Sequence, residues 1–139
     1  MWNKTTRIAT FALVIFAVTA FGATGSATAG DAARNTIASQ YAGSTIGTTI
    51  AHPAVGSRLV DVWVDRLGLA VESKVGLTGL SPAVSKELEL DQWLLENDPD
   101  VHKIEWEFRI SKQTGQGGPS QKLANALDDA GVQWSEILE

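Results

Sequence analysis

Arg58-Leu59-Val60-Asp61-Val62-Trp63-Val64, followed by Leu69-Ala70-Val71-Glu72-Ser73-Lys74-Val75, is the stretch on which the fold turns. Both segments are rich in β-branched residues and alternate with period 2. Asp65-Arg66-Leu67-Gly68 between them reads as a tight turn, so a β-hairpin is predicted. If the loop holds two or four residues, Val60, Val62 and Val64 face Ser73, Val71 and Leu69, and one face of the hairpin is almost wholly apolar. A three-residue loop with Gly68 as a bulge sets Val62 against Glu72 instead, which a buried face disfavours. The first register is therefore expected.

That register places Asp61 directly opposite Glu72 on the other face, with Lys74 two residues along it. Two carboxylates ~5 Å apart across a ladder destabilise the hairpin unless something positive lies between them. A divalent cation meets that need. Magnesium takes oxygen ligands and is commonly held by one or two carboxylates plus water and substrate phosphate. Lys74 beside it is placed to orient or deprotonate a water.

Length and composition frame the rest. The chain has 139 residues, 44% of them hydrophobic, and no internal repeat, which fits one globular domain plus an N-terminal segment. Without cysteine there are no disulfides, zinc-thiolate sites or thiol nucleophiles, and His52 and His102 lie too far apart for a histidine metal motif. Lys4 and Arg7, the apolar run Ile8 to Phe21 and Ala27-Thr28-Ala29 read in order as an export signal over residues 1–29, so an exported or secreted product is expected. The run is short for a membrane span; left uncleaved it would serve as an anchor. Removing residues 1–29 takes away two bases and no acid, leaving 9 basic against 16 acidic residues and a net charge of −7. Such a balance opposes polyanion binding unless Arg58, Lys74, Lys86, Lys103, Arg109 and Lys112 cluster around a site.

The flanking elements are read as follows. Asp31 to about Ile46 suggests an Ala-rich helix ended by Gly43, Gly47 and Thr48-Thr49, and Ala51-His52-Pro53 to Gly56 a loop in which His52 is either a plain loop residue or a catalytic base. Ser81-Pro82 starts a second helix, with serine as N-cap and proline at the first position, running to about Asn97. Val84, Leu88 and Leu95, with Leu94 beside them, form its buried stripe. Glu87, Glu89 and Asp91 read first as a solvated face; otherwise Glu87 or Asp91 approaches the metal and Lys86 or Gln92 touches substrate. Val101 to Ile110 alternates as a strand, with His102, Ile104, Trp106, Phe108 and Ile110 on the core side and Lys103, Glu105, Glu107 and Arg109 opposite. Ser111 to Pro119 is a Gly-rich loop, either a connection or a phosphate cradle, leading to a helix capped by Ser120 and ended by Gly131. Val132 to Leu138 closes as a short strand.

The predicted order is helix, strand, strand, helix, strand, helix, strand: an α/β (α+β) domain with a small mixed sheet flanked by helices. Asp61, then Glu72-Ser73-Lys74 on the next strand and a helix after it, resembles the core of the PD-(D/E)XK, restriction-endonuclease-like nuclease superfamily. Ile104-Glu105-Trp106-Glu107-Phe108, Thr114-Gly115-Gln116-Gly117-Gly118-Pro119-Ser120 and Ala130-Gly131-Val132 look like the C-terminal half of nuclease domains carried by bacterial polymorphic and contact-dependent toxins.

The resemblance implies a Mg²⁺- or Mn²⁺-dependent phosphodiesterase acting on nucleic acid, DNA ahead of RNA, with an immunity protein as a partner. Carried onto this sequence, Asp61 and Glu72 would be metal ligands, Ser73 would lend its backbone carbonyl, and Lys74 would position water and stabilise charge on the phosphate. Arg58, Lys86, Glu87, Gln92 and Glu107 are accessory candidates; Glu107 stands where such domains commonly carry histidine, and Glu87 where they offer glutamine. A second reading is a degenerate domain of the same fold that binds metal, nucleic acid or protein without turnover. Convergence of Asp61, Glu72 and Lys74 within a basic rim would favour the first.

Overall fold

The computed structural model describes residues 29–52 and 55–138. Helix α1 (Ala29–Ser39) leads to strand β1 (Thr45–His52), which turns back into β2 (Gly56–Val64); β3 (Leu69–Val75), helix α2 (Pro82–Asn97), β4 (Lys103–Arg109), α3 (Gln121–Ala130) and β5 (Gln133–Ile137) follow. The five strands form one sheet in sequence order. β1, β2 and β3 pair antiparallel with one another in turn, while β4 is added parallel to β3 and β5 parallel to β4 through the crossovers α2 and α3. The domain is thus a small mixed sheet flanked by three helices. Three strands precede α2 where two were expected, because Thr45–His52, read as helix end and loop, is strand β1. Most of the expected export segment lies outside the described residues, and no described helix is long and apolar enough to cross a membrane.

The hairpin forms in the expected register, with Val62 opposite Val71 and Val64 opposite Leu69. Its four-residue connection is a 3₁₀ turn, Asp65–Leu67, closed by Gly68 at φ 56°. The expected single apolar face is only partly realised. Val62, Val64, Leu69 and Val71 pack with Ile37 of α1, but Val60 packs on the opposite side with Ala70, Leu88, Ile104 and Trp106, beneath α2 and α3. Alternation therefore slips between Val60 and Val62, at Asp61. In β1 the residue between their partners is Gly47, whose φ of 68° is open to glycine and costly to other residues.

Both later helices start where serine predicts. Ser81 Oγ accepts the Val84 N–H and Ser120 Oγ accepts the Leu123 N–H, each satisfying a donor that the first helical turn leaves unpaired. Gly131, at φ 74°, ends α3. The Gly-rich segment after β4 is a connection pinned by backbone hydrogen bonds: Ser111 N–H donates to Gln116 O, Thr78 N–H to Gly118 O and Ser120 N–H to Thr78 O.

Candidate metal and phosphate site

The site lies where β2 and β3 part. Their ladder holds three pairs, Val62 with Val71, Trp63 with Ala70 and Val64 with Leu69. Beyond it β2 stays with β1, pairing Val60 with Thr48, and β3 stays with β4 through to Val75 and Arg109. Asp61 spans the opening: its Oδ2 accepts the Ser73 backbone N–H at 2.8 Å, doing the work of a strand carbonyl. Its Oδ1 lies 3.6 Å from Arg34 Nη1 of α1. Ser73, expected to offer its carbonyl, thus engages Asp61 through its N–H, and among the described residues its buried Oγ finds no hydrogen-bond partner.

Helix α2 crosses this opening and completes a charged network. Arg58 Nε donates to Asp91 Oδ1 at 2.7 Å and Arg58 Nη2 to Glu72 Oε2 at 3.0 Å, while Lys74 Nζ donates to Glu72 Oε1 at 2.7 Å and Glu87 Oε2 at 2.6 Å. Trp106 Nε1–H donates to Asp91 Oδ2 at 2.8 Å, and Lys74 Nζ stands 5.0 Å from the centre of the Trp106 ring. Arg58 and Lys74 thus bridge Glu72 to Asp91 and Glu87, whereas Asp61, expected directly opposite Glu72, lies beyond the last ladder pair and has Arg34 as its nearest cation. Asp91, read first as part of a solvated face, is 0% exposed. Its position three residues after Leu88 and three before Leu94 places it inside the apolar stripe, the one sign in the sequence that it would be enclosed.

Protonation follows from burial and neighbours. Burial pushes the Glu72 carboxyl up; Arg58 and Lys74 pull it down and Asp61 pushes it up again, and the net direction is up. Burial works against the Lys74 ammonium, but Glu72 and Glu87 outweigh it and hold its pKa above the ordinary lysine value. Arg58 is likewise raised, burial being outweighed by its hydrogen bond to Asp91 and by the Asp91, Glu72 and Glu87 charges. Lys74 is therefore positively charged at neutral pH, which suits it to orienting water and phosphate.

A cavity of about 480 Å³ opens over the network, lined by Ser57, Arg58, Leu59, Asp61, Glu72, Ala83, Lys86, Glu87 and Leu90. Of the accessory candidates, Arg58, Lys86 and Glu87 are here and two are not. Gln92 is exposed on α2 and donates to Glu96 Oε1 at 3.0 Å, outside the lining. Glu107 sits between Trp106 and Phe108, which fill the α2 and α3 side, so it emerges on the opposite face of the sheet, where Arg109 Nη2 meets it at 3.1 Å. The expected basic rim is not assembled either: Arg109 is committed to Glu107, Lys103 Nζ lies 3.0 Å from Glu105, and only Arg58 and Lys86 among the six cations line the cavity. His102 turns outward and its Nε2 lies 3.0 Å from the Pro99 carbonyl, a local contact away from the site.

The donors suit a hard divalent cation in kind. Asp61 and Glu72 share the cavity wall, carboxylate oxygen is the ligand magnesium prefers, and two such groups are enough where water and phosphate complete the shell. Among the described residues, no group of three or more aspartate, glutamate or histidine side chains is arranged to hold a metal. No protein-family model, curated protein or solved structure matches the chain.

Proposed function

We propose that this protein hydrolyses phosphodiester bonds in nucleic acid with a divalent cation held by Asp61 and Glu72, as a member of the restriction-endonuclease-like nucleases that its Asp61, Glu72-Ser73-Lys74 pattern resembles. The observation that carries this reading is the parting of β2 and β3 under a crossover helix, where Asp61, Glu72 and Glu87 line one cavity and Lys74 is bonded to two of these carboxylates, Glu72 and Glu87. The cation supplies Lewis-acid stabilisation of a phosphate oxygen. Lys74, charged at neutral pH, stabilises negative charge developing on the phosphate, and Arg58 holds the Glu72 carboxylate in place through Oε2. Hydrolysis forms one bond from phosphorus to the water oxygen, breaks one to the leaving sugar oxygen and transfers a proton from the water to that oxygen.

The experiment is cleavage of DNA and RNA by the purified chain with Mg²⁺ or Mn²⁺. Lys74→Ala is expected to lower the rate by about 10²-fold or more with cation affinity largely kept, because it removes charge stabilisation specific to the transition state. Glu72→Gln is expected to lose both, a neutral amide being a poorer ligand for a hard cation. One observation favours a second reading, a binding domain without turnover: Arg58 and Lys74 already occupy both Glu72 oxygens. Cation binding through Asp61 and Glu72 with no cleavage of either nucleic acid would leave that reading standing and the hydrolase reading refuted.

A further inference from the structure

Three features of the cavity bear on what enters it. Its volume of about 480 Å³ falls within the ~300–1,000 Å³ of clefts that enclose one small molecule. Its carboxylates are Asp61, Glu72 and Glu87, of which Glu72 is 7% exposed, so a reacting phosphate must enter the cavity to reach it. Three of its lining residues are apolar, Leu59 from β2 and Ala83 and Leu90 from one face of α2, and Leu59 leaves 55% of its surface in solvent. Of the two lining cations, Arg58 is committed to Asp91 and Glu72. Lys86 is left at the mouth, 63% exposed, its contact with Glu89 a loose 3.6 Å.

A duplex offers about one charge per 1.7 Å of axis, and its affinity comes from cations neutralising several phosphates together. One mouth lysine on a domain of net charge −7 over residues 30–139 cannot supply that. A single strand or strand end differs, because an unpaired nucleotide can turn its base against an apolar wall while its phosphate reaches inward. We infer that the site admits one unpaired nucleotide unit at a time, with the base on Leu59, Ala83 and Leu90 and Lys86 against the neighbouring phosphate. This rests on the phosphodiesterase reading for its chemistry but not for its binding, so the two are tested apart.

Calorimetric titration of the full chain in Mg²⁺ with the dinucleotide pTpT, and with a blunt duplex, tests the binding. The dinucleotide is expected to bind more tightly than the duplex, and Leu59→Asp and Lys86→Glu, both at exposed positions that leave the fold intact, should each weaken it by about tenfold. Duplex binding as tight as dinucleotide binding, no binding of either, or indifference to both substitutions would overturn the inference. Hydrolysis of bis(4-nitrophenyl) phosphate, a small diester with no nucleobase, separates the failures. If that diester is cleaved but pTpT is not preferred, only the nucleotide pocket is wrong. If pTpT binds as expected and no diester is cleaved, only the hydrolase reading is wrong.

Discussion

Asp91 is wholly enclosed, and three N–H groups reach its carboxylate: Arg58 Nε and Nη2, and Trp106 Nε1. Removing one member of a buried ion pair leaves the other charged and desolvated, which costs about 3–5 kcal/mol. Asp91→Ala is therefore expected to lower unfolding free energy by that amount in urea melts, and Arg58→Met combined with Asp91→Leu to recover much of it. Additive losses in the double variant would show that the two do not act as a pair. Glu72 gives a pH signature. Its folded pKa lies above its unfolded value near 4.5, so the folded state holds the proton more tightly and stability falls as pH rises from about 4.5 through the raised value. Glu72→Gln lacks this titration. The stability of the wild type relative to Glu72→Gln should thus decline across that window, and a difference that grows with pH would reverse the assigned direction.

At the level of elements, Gly68 joins the hairpin to the end of the α2 crossover. It adopts φ 56°, and a Cβ there would stand 2.5 Å from the Asp100 carbonyl oxygen and 2.8 Å from His102 Cγ. Backbone strain and collision add, so Gly68→Ala should cost at least about 2 kcal/mol. Gly115→Ala, at φ 67° with nothing within 4 Å, should cost only the backbone part, about 1 kcal/mol. Equal thermal shifts in the two would remove the packing role. Turn and cap chemistry of this kind is local, which is why the hairpin register and the starts of α2 and α3 are legible in Asp65 to Gly68, Ser81-Pro82 and Ser120. β1 is not legible by burial, because none of its residues from Thr45 to Ala51 is buried; its five β-branched residues, interrupted by Gly47, are the available signal. Glu72 and Lys74 meet on one face as strand alternation predicts, whereas the place of Asp61 does not follow from it, since alternation slips there. The Arg58–Asp91 pairing depends on how α2 crosses the sheet, and the slip between Val60 and Val62 on the backbone of Gly47, neither of which a pattern of residues on one strand contains.

For the molecule as a whole, charge sets how nucleic acid can be held. Residues 30–139 carry 9 bases against 16 acids, and the cations in and beside the candidate cavity are mostly committed to carboxylates: Lys74 to Glu72 and Glu87, Arg58 to Glu72 and Asp91. Phosphate neutralisation releases counterions, so the slope of log affinity against log salt counts the phosphates engaged, at about −0.7 each for a single strand. With Lys86 as the mouth cation, oligonucleotide binding in constant Mg²⁺ should show a slope of about −0.7, changing little as the strand is lengthened. A basic track beyond the cavity would make the slope steepen with each added nucleotide. Titrations of strands of increasing length across a range of KCl concentrations distinguish the two. A slope that grows with length would mean that a cationic surface elsewhere, not the cavity mouth, governs association.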